Sequence, residues 1–356
     1  MDIIFNPPAN EENRYIRLLV RELRANGYRI HPLDTIFSSY RHFRSIKLVH
    51  LNWFENIDTS HFFKSLRSFL RKVAVLTIIR LSGKPLVWTL HNRTSHEKGA
   101  AFFSRILTRL LVRWSSHIII HSAQSETVLA AYGAKVLERA TYVPHPHFIG
   151  VYGDPVAAAP PEGTALQLLF IGMVKPYKNL ELLMDVVGAL GRRVQLTIAG
   201  RATDSRYQQQ LAGRAQAVGN VTLLPYFVPD GELPTLLGRA DAVVLPYDLA
   251  SSLNSGTAIL AFSYKKTVIC PEIGTVSDLD GRMADTFYYR YRTAEQHRVA
   301  LTQQIERALV LKQDDPEALA SRGRRLYQHV AAAHDPRRIG DELDRLYRRI
   351  TDKQHR

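Results

Sequence analysis

The sequence is poor in cysteine, because Cys270 is the only one among 356 residues. An intramolecular disulfide is therefore excluded, and a reducing compartment is expected. No Cys/His spacing typical of a zinc site is present either. The first residues also lack the basic segment and long apolar stretch of a signal peptide, so none is expected there. These absences predict a cytoplasmic protein without a structural metal.

Long apolar runs are absent as well. The nearest candidate, residues 73–81, is interrupted by Arg80 and is far shorter than the roughly 20 residues that a transmembrane helix needs. Hydrophobic residues nevertheless make up 46% of the chain, which is normal for a protein with a packed core. The length is sufficient for two domains of ordinary size.

Acidic residues are in short supply: 33 Asp and Glu stand against 47 Lys and Arg, a net charge of +14. Most of this excess, +10, falls in residues 1–160. A basic first half favours an anionic partner, such as nucleic acid, an anionic membrane or a phosphorylated substrate. No nucleic-acid motif and no interleaved basic and aromatic pattern is present, so a nucleic-acid-binding protein is an alternative suggested by charge alone.

Short apolar runs alternate with segments of helical periodicity, a pattern typical of a parallel sheet covered on both faces. In the first half the predicted strands are residues 2–5, 29–33, 48–53, 85–90, 117–120 and 140–143. The helices predicted between them are residues 13–26, 62–81, 101–114 and 125–132. Residues 150–165 are rich in Gly, Ala and Pro and are the best linker in the chain.

The pattern then restarts, so the sequence predicts two doubly wound α/β domains. Further strands are predicted at residues 166–171, 194–199, 221–224, 242–245 and 267–270. Helices are predicted from residue 179 and at 207–218, 232–240, 257–264, 294–312, 316–333 and 335–350. We divide the chain into a first domain of residues 1–150, a linker of residues 151–165, a second domain of residues 166–334 and a C-terminal helix at residues 335–356. One option for this last helix is to pack back on the first domain.

The segment LQLLFIGMVKPYKNL, residues 166–180, is the most informative stretch. A buried strand ends at Gly172, a loop with Lys175 and Lys178 follows, and a helix begins with Asn179 as its expected N-cap. Free N–H groups at a helix start, the helix dipole and two lysines suit a diphosphate. The alternative is a solvated basic loop.

The second half resembles the GT4-type glycosyltransferases, and the two domains together resemble the GT-B fold, in which both face an interdomain cleft. The resemblance covers residues 166–290 and depends on the order and spacing of its landmarks. Those landmarks are FIGMVKPYKN at 170–179, LTIAG at 196–200, VTLLPYFVPD at 221–230, ADAVVLPY at 240–247, SGT at 255–257 and VICP at 268–271.

The resemblance implies a nucleotide-sugar site in the second domain that works without a metal or other cofactor. Its expected donor is a GDP- or UDP-sugar. We expect lysines and helix N–H groups to offset the charge that grows on the leaving diphosphate, and Tyr226–Val228 to border the base. The predicted residues are Gly172, Lys175, Lys178, Gly200, Tyr226, Phe227, Val228, Tyr247, Asn254, Ser255, Gly256 and Thr257. For residues 254–257 the alternative is an ordinary helix cap.

Two departures from the family pattern matter. Met173 stands where the family usually has an arginine, although Lys175 is placed to supply that charge. The usual pair of glutamates about the later glycine has no counterpart around Gly256. A similar loss occurs in several bacterial exopolysaccharide glycosyltransferases, including inverting ones, so the stereochemistry of transfer is not carried over.

In the first domain, His91 directly follows a predicted strand. A histidine there is able to hydrogen-bond the donor or to act as a general base toward an acceptor hydroxyl. The alternative is a satisfied structural histidine, and Glu97 is the nearest other candidate base.

A helix from residue 61 to residue 80 combines aromatic and apolar residues with a basic face, as suits an anionic membrane surface. The basic residues are Lys64, Arg67, Arg71 and Lys72. Residues 101–114 show a similar pattern, for which a core-packed helix with a solvated face is at least as good an explanation.

The sequence thus favours a glycosyltransferase that moves a sugar from a nucleotide-sugar donor to a lipid-linked saccharide in bacterial polysaccharide synthesis. It would act at the inner face of the cell membrane as a peripheral protein. The alternative within the fold is a soluble GT-B enzyme, such as a nucleotide-sugar epimerase, a transferase with a small-molecule acceptor or a phosphorylase-like enzyme.

Overall fold

A computed structural model describes residues 1–10, 14–57, 61–93, 101–156, 164–250 and 252–352. The chain divides into two compact units, residues 1–146 with 334–356 and residues 147–333. In the described residues each unit is built on a six-stranded parallel sheet with helices around it. The prediction of two doubly wound α/β domains is therefore confirmed.

The first unit begins with the short apolar runs that the sequence analysis identified as strands. Its strands are β1 (Asp2–Asn6), β2 (Arg29–His31), β3 (Leu48–Asn52), β4 (Leu86–Leu90), β5 (His117–Ile120) and β6 (Ala140–Tyr142). Its helices are α1 (Arg14–Ala25), α2 (Tyr40–Ser45), α3 (Phe62–Leu81), α4 (Ala101–Trp114), α5 (Gln124–Ala130), α6 (Ala134–Leu137) and α14 (Pro336–Asp352).

The strand order in the first sheet is β2-β1-β3-β4-β5-β6. The chain runs from β1 to β2 on one side and then returns to place β3 on the other side of β1. The boundary between β1 and β3 is therefore the topological switch point, where open α/β sheets bind ligands beyond the carboxyl ends of their strands.

The last helix, α14, belongs to the first unit because its apolar face packs against α1. Ile339, Leu343 and Tyr347 are buried in the same core cluster as the apolar residues of α1. A Cβ at Gly340 would lie 2.5 Å from the Cβ of Glu22, so the two helices approach more closely than a side chain at residue 340 permits. Tyr28 strengthens the contact by donating a hydrogen bond to Asp344 at 2.8 Å.

The second unit repeats the alternation of strand and helix. Its strands are β7 (Leu166–Ile171), β8 (Val194–Ala199), β9 (Val221–Leu224), β10 (Ala242–Val244), β11 (Thr267–Pro271) and β12 (Phe287–Tyr289). Its helices are α7 (Leu180–Leu190), α8 (Ser205–Val218), α9 (Leu233–Arg239), α10 (Gly256–Ser263), α11 (Gly274–Ser277), α12 (Ala294–Asp314) and α13 (Pro316–Ala333).

The strand order in the second sheet is β12-β11-β10-β7-β8-β9. The chain builds β7, β8 and β9 in one direction and then crosses to place β10 against the free side of β7. The switch point therefore lies between β7 and β10, and the loops after these two strands meet there.

The passage from the first unit to the second lies near residue 146, earlier than the linker predicted at 151–165. Residues just before that linker and at its start already pack on the second unit. The Phe148 N–H donates to the Ser263 hydroxyl at 2.9 Å, and the Tyr264 hydroxyl donates to the Gly153 carbonyl at 2.8 Å. The Gly- and Pro-rich composition indicates a connection between two domains, but it does not show at which residue the packing on the second unit begins.

No helix in the described part of the chain combines the length and the apolar character needed to cross a membrane.

Candidate functional site

Two glycines allow the loops after β7 and β8 to approach each other closely. Gly172 and Gly200 both have positive φ angles, of 128° and 157°. A Cβ on Gly200 would lie only 1.9 Å from the Gly172 carbonyl oxygen, so no other residue fits there without moving the loop. These predicted site glycines therefore shape the backbone at the switch-point edge of the second sheet.

Lys178 is the best-defined charged group at this edge. Its ammonium lies 3.6 Å from the centre of the Tyr247 ring and 4.9 Å from that of Tyr177. Burial by itself lowers the pKa of Lys178, but the phenol groups of Tyr247 and Tyr177 outweigh it and raise that pKa above its ordinary value. The lysine is therefore charged at neutral pH, and it remains half-buried rather than enclosed. Lys175, also half-buried, lies in the same loop.

Asn179 does not cap α7, contrary to the sequence prediction. It has a φ of 52°, and its side-chain amide donates to the Pro246 carbonyl at 2.9 Å instead of accepting from the helix. The Asp248 N–H donates to the Tyr177 carbonyl at 3.3 Å. These two bonds join the loop after β7 to the loop after β10, so the tertiary contact between the loops decides how this asparagine is used.

The start of α10 supplies the second electropositive feature. Ser255 is its N-cap, because the serine hydroxyl accepts from the Ala258 N–H at 3.1 Å. The Ser255 N–H, one of the helix N–H groups expected to face the diphosphate, instead donates to the Thr275 hydroxyl at 2.8 Å. The N–H groups of Gly256 and Thr257 occupy the first helical turn, where backbone donors lack intrahelical acceptors.

Two side chains near this helix start face inward. The Thr257 hydroxyl lies 3.7 Å from the position that a Cβ on Gly172 would occupy, so it faces the loop after β7. Both polar atoms of the Asn254 side chain are buried and have no hydrogen-bond partner among the described residues. Such atoms are costly to leave unpaired, which makes the Asn254 amide a ready partner for a polar ligand.

The residues predicted to border a nucleotide base follow β9, the edge strand two positions away from the switch point. The side chains of Tyr226 and Phe227 are exposed, whereas Val228 is buried. The Tyr226 hydroxyl donates to Glu232 at 2.9 Å. The segment thus offers two aromatic surfaces, and Val228 offers packing rather than a contact surface.

His91 lies just beyond the end of β4 in the first unit, and only 8% of it is exposed. Its ring stacks on Trp53, with 4.0 Å between ring centres, and its Nε2 lies 3.0 Å from the Asn52 side-chain oxygen. The Asn52 amide nitrogen donates to the Asn6 carbonyl at 3.3 Å, which turns the amide oxygen toward His91.

This arrangement assigns the protons of His91. An amide oxygen only accepts, so the imidazole Nε2 must carry the hydrogen, and in the neutral ring Nδ1 carries the lone pair. Asn6 and Asn52 end β1 and β3, the two strands at the switch point of the first sheet. His91 is therefore held by the switch point, with Nδ1 as its basic nitrogen.

Further histidines surround His91 in the first unit. Burial lowers the pKa of His50 to about 3 and that of His121 to about 4. Burial first, and then His121, His145 and His50, lower the pKa of His91 well below its ordinary value. These imidazoles are therefore neutral at neutral pH, so His91 carries a lone pair rather than a positive charge.

Glu97, the other candidate base, lies outside the described residues. Among the described residues no group of three or more His, Cys, Asp or Glu side chains is arranged to hold a metal ion.

One of the four basic residues predicted to face a membrane does not face outward. The Lys72 ammonium donates to the backbone carbonyls of Phe54, at 3.0 Å, and Asn56. Burial lowers the pKa of Lys72 to about 8. The helical spacing placed Lys72 on the basic side of α3, but its side chain folds back onto the loop after β3. Arg71 forms an exposed ion pair with Asp34. Lys64 and Arg67 are therefore the two residues of this set that remain available to an anionic surface.

Sequence reasoning missed three residues that the structure adds to these sites: Tyr177, Asn52 and Tyr291. Tyr177 lies in the lysine loop, and Asn52 ends a predicted strand, so both had a positional signal. Tyr291 follows β12, a strand of three residues that the sequence pattern does not indicate. Its hydroxyl donates to the Tyr247 carbonyl at 2.9 Å, a contact that no local pattern indicates.

Comparison with known proteins gives one family match. Residues 165–329 match the family described as "Glycosyl transferases group 1". A relative, the GDP-mannose:glycolipid 4-beta-D-mannosyltransferase of Xanthomonas campestris pv. campestris, is 27% identical over 206 residues, which are 55% of this chain and 53% of the relative. The chain thus spans about half the length of the curated relatives it matches.

Solved structures agree over nearly the whole chain. Sucrose-phosphate synthase from Thermosynechococcus elongatus superposes with a TM-score of 0.75 at 16% identity, covering 99% of each chain. Anabaena HepE in complex with UDP-glucose superposes with a TM-score of 0.69 at 13% identity, covering 97% of this chain and 99% of that one. Residues 165–329 therefore match a glycosyl transferase group 1 domain, and the chain has a GT-B fold.

Proposed function

We propose that this protein transfers a hexosyl group from a nucleoside-diphosphate sugar to a saccharide acceptor carried on a lipid. The observation that carries the proposal is the convergence of Lys178 and the start of α10 at the switch point of the second sheet. A charged lysine and free helix N–H groups at one sheet edge suit a diphosphate leaving group.

The second unit would bind the donor. As the bond between the anomeric carbon and the diphosphate oxygen breaks, negative charge grows on the diphosphate. Lys178, Lys175 and the N–H groups of Gly256 and Thr257 would offset that charge without a metal ion. The aromatic surfaces of Tyr226 and Phe227 would border the base. The HepE structures with UDP and UDP-glucose support a UDP-sugar as donor, and the relative named for GDP-mannose supports a GDP-sugar.

The first unit would bind the acceptor. The acceptor hydroxyl attacks the anomeric carbon and loses its proton. We assign His91 Nδ1, through its lone pair, as the atom that accepts this proton. The relative that acts on a glycolipid supports a lipid-linked acceptor, and the Lys- and Arg-rich first half suits phosphates on such a lipid.

A panel of donors tests the proposal directly. The protein would be incubated with GDP- and UDP-sugars and a lipid extract of polysaccharide-producing bacteria, in the presence of a metal chelator. We expect one sugar to enter the lipid fraction and the matching nucleoside diphosphate to be released. Transfer only to a water-soluble acceptor would favour the soluble transferase, and conversion of the donor sugar without an acceptor would favour an epimerase.

We also propose that α3 and α4 rest on the inner face of the cell membrane. The exposed fractions of Phe62, Phe63 and Phe102 are 66%, 81% and 69%. Phe103 joins the two helices by stacking on Phe69, with 4.8 Å between ring centres. Exposed phenylalanines at the start of two packed helices, next to Lys64 and Arg67, suit an anionic lipid surface.

Vesicle flotation checks this surface. Replacing both Lys64 and Arg67 by Gln should weaken binding to anionic vesicles about 10- to 30-fold, because each basic residue near such a surface contributes about 1 kcal/mol. Binding of the native protein should also weaken as salt rises.

A matched control replaces Arg345 and Arg349, two exposed arginines of α14, by Gln, which changes the net charge equally. It should leave flotation unchanged. Equal losses in both double variants, or a native protein that never floats, would remove the membrane surface from the proposal.

A further inference from the structure

Tyr247 connects the two electropositive features of the second unit. Its ring lies over the Lys178 ammonium at 3.6 Å, and its hydroxyl lies 3.3 Å from the hydroxyl of Ser255, the N-cap of α10. Only 2% of Tyr247 is exposed, so the side chain is covered by these neighbours and offers almost no surface of its own. Tyr247 thus influences a ligand at this edge by way of Lys178 and α10, and not by contacting the ligand itself.

The ring restricts where the lysine charge lies. A lysine ends in a compact ammonium on a flexible stem of four carbons, and such a side chain is otherwise free to point in many directions. The face of an aromatic ring attracts the cation and holds it in one place. Tyr177 contacts the same ammonium from within its own loop, so two phenol rings hold one charge.

Tyr247 is itself held from a different element. The Tyr291 hydroxyl donates to the Tyr247 carbonyl at 2.9 Å and accepts from the Leu249 N–H at 3.0 Å. The Tyr291 ring stacks on His297 of α12, with 3.9 Å between ring centres and 8° between ring planes. The loop after β10 is therefore fixed to α12 by contacts that do not involve Lys178.

We propose that Tyr247 is a positioning residue for the donor diphosphate, setting the Lys178 ammonium and the start of α10 at a fixed separation before the donor arrives. Tyr291 secures Tyr247 in that role. This inference depends on the proposed function, because it takes Lys178 and α10 as the groups that receive the diphosphate. A site arranged before binding loses less conformational entropy when the ligand arrives.

The test compares two substitutions at residue 247 by measuring the affinities of GDP, UDP, guanosine and uridine. Tyr247→Leu removes the ring, and we expect it to weaken binding of the preferred nucleoside diphosphate roughly 3- to 30-fold, the range of a lost cation–π contact. Tyr247→Phe keeps the ring and should restore most of that affinity. Affinity for the matching nucleoside, which has no diphosphate, should change little in either variant.

The pH dependence of binding separates positioning from general loss of structure. The titratable groups facing the Lys178 ammonium in the described residues are Tyr177 and Tyr247, while the neighbouring Asp248 carboxylate accepts from the Ala250 N–H. Tyr247 helps raise the pKa of Lys178, and burial alone lowers it. The ammonium is lost as pH rises through its pKa. Diphosphate affinity in Tyr247→Leu should therefore start to fall at a lower pH than in the native protein.

Each outcome decides the inference. Native diphosphate affinity and native pH dependence in Tyr247→Leu overturn it, provided that Lys178→Ala loses affinity. If Lys178→Ala also keeps full affinity, the donor site of the proposed function is what fails. If Tyr247→Leu does not fold, Tyr291→Phe decides, because it keeps the stack on His297 but removes the hydroxyl that secures Tyr247. Unchanged diphosphate affinity in that variant overturns the inference.

Discussion

Lys178→Ala is expected to lower the turnover of sugar transfer about 10²- to 10³-fold while the protein stays folded. Removing one group that stabilises developing charge typically costs a factor of this size. Lys178 fits that role because its pKa is raised and its ammonium is held between Tyr177 and Tyr247 at the switch-point edge of the second sheet. The measurement is steady-state transfer with saturating acceptor, together with thermal unfolding to verify the fold.

The chain offers a matched control in Lys265. Its ammonium also lies over a tyrosine, at 5.2 Å from the Tyr327 ring, but Lys265 precedes β11 and so lies at the amino edge of the same sheet. Lys265→Ala should therefore keep native turnover. Full activity in Lys178→Ala, or equal losses in the two variants, would remove the charge-stabilising role from Lys178.

His91→Ala should lower turnover about 10²- to 10⁴-fold, the usual contribution of a general base, with little change in donor affinity. Asn52 directs the Nε2 hydrogen of His91 and leaves Nδ1 with its lone pair. The pKa of His91 is lowered, chiefly by burial, so the base stays deprotonated below pH 6.5. The acidic limb of the native pH–rate profile should thus lie below 6.5 and disappear in His91→Ala.

His121→Ala controls for packing. His121 is another buried, neutral histidine, and its ring centre lies 5.4 Å from that of Tyr15, the same separation as for His91. A loss of turnover in His91→Ala but not in His121→Ala identifies His91 as the general base. Equal losses in both variants, or an acidic limb that persists in His91→Ala, would instead assign His91 a structural role, and Glu97 would be tested next.

Much of the fold was predictable from local pattern. The bounds of α3, α4, β5 and β7 agree residue for residue with the sequence prediction, because strong periodicity and clear flanking breaks define them. The short elements α2, α6, α11 and β12 were missed. Three to six residues carry too little periodic signal to mark an element in the sequence.

The candidate site was predictable only in its parts. The glycines, the two lysines and the serine cap follow from spacing along the chain. The pairing of Lys178 with Tyr247 does not, because those residues become neighbours only when β10 is inserted beside β7. The same applies to Asn179, whose side chain bonds the Pro246 carbonyl across the two loops instead of capping its own helix.

By itself, the sequence determined the repeated alternation of strand and helix, the phosphate-type loop and the excess of positive charge in the first half. These properties depend on neighbours along the chain, so local composition and spacing carry them. The tertiary structure decided which charges remain available. Lys178 stays charged between two phenol rings, Lys72 turns inward to backbone carbonyls, and His91 receives its tautomer from Asn52. Burial and hydrogen-bond partners set these states, and both arise only when distant segments pack together.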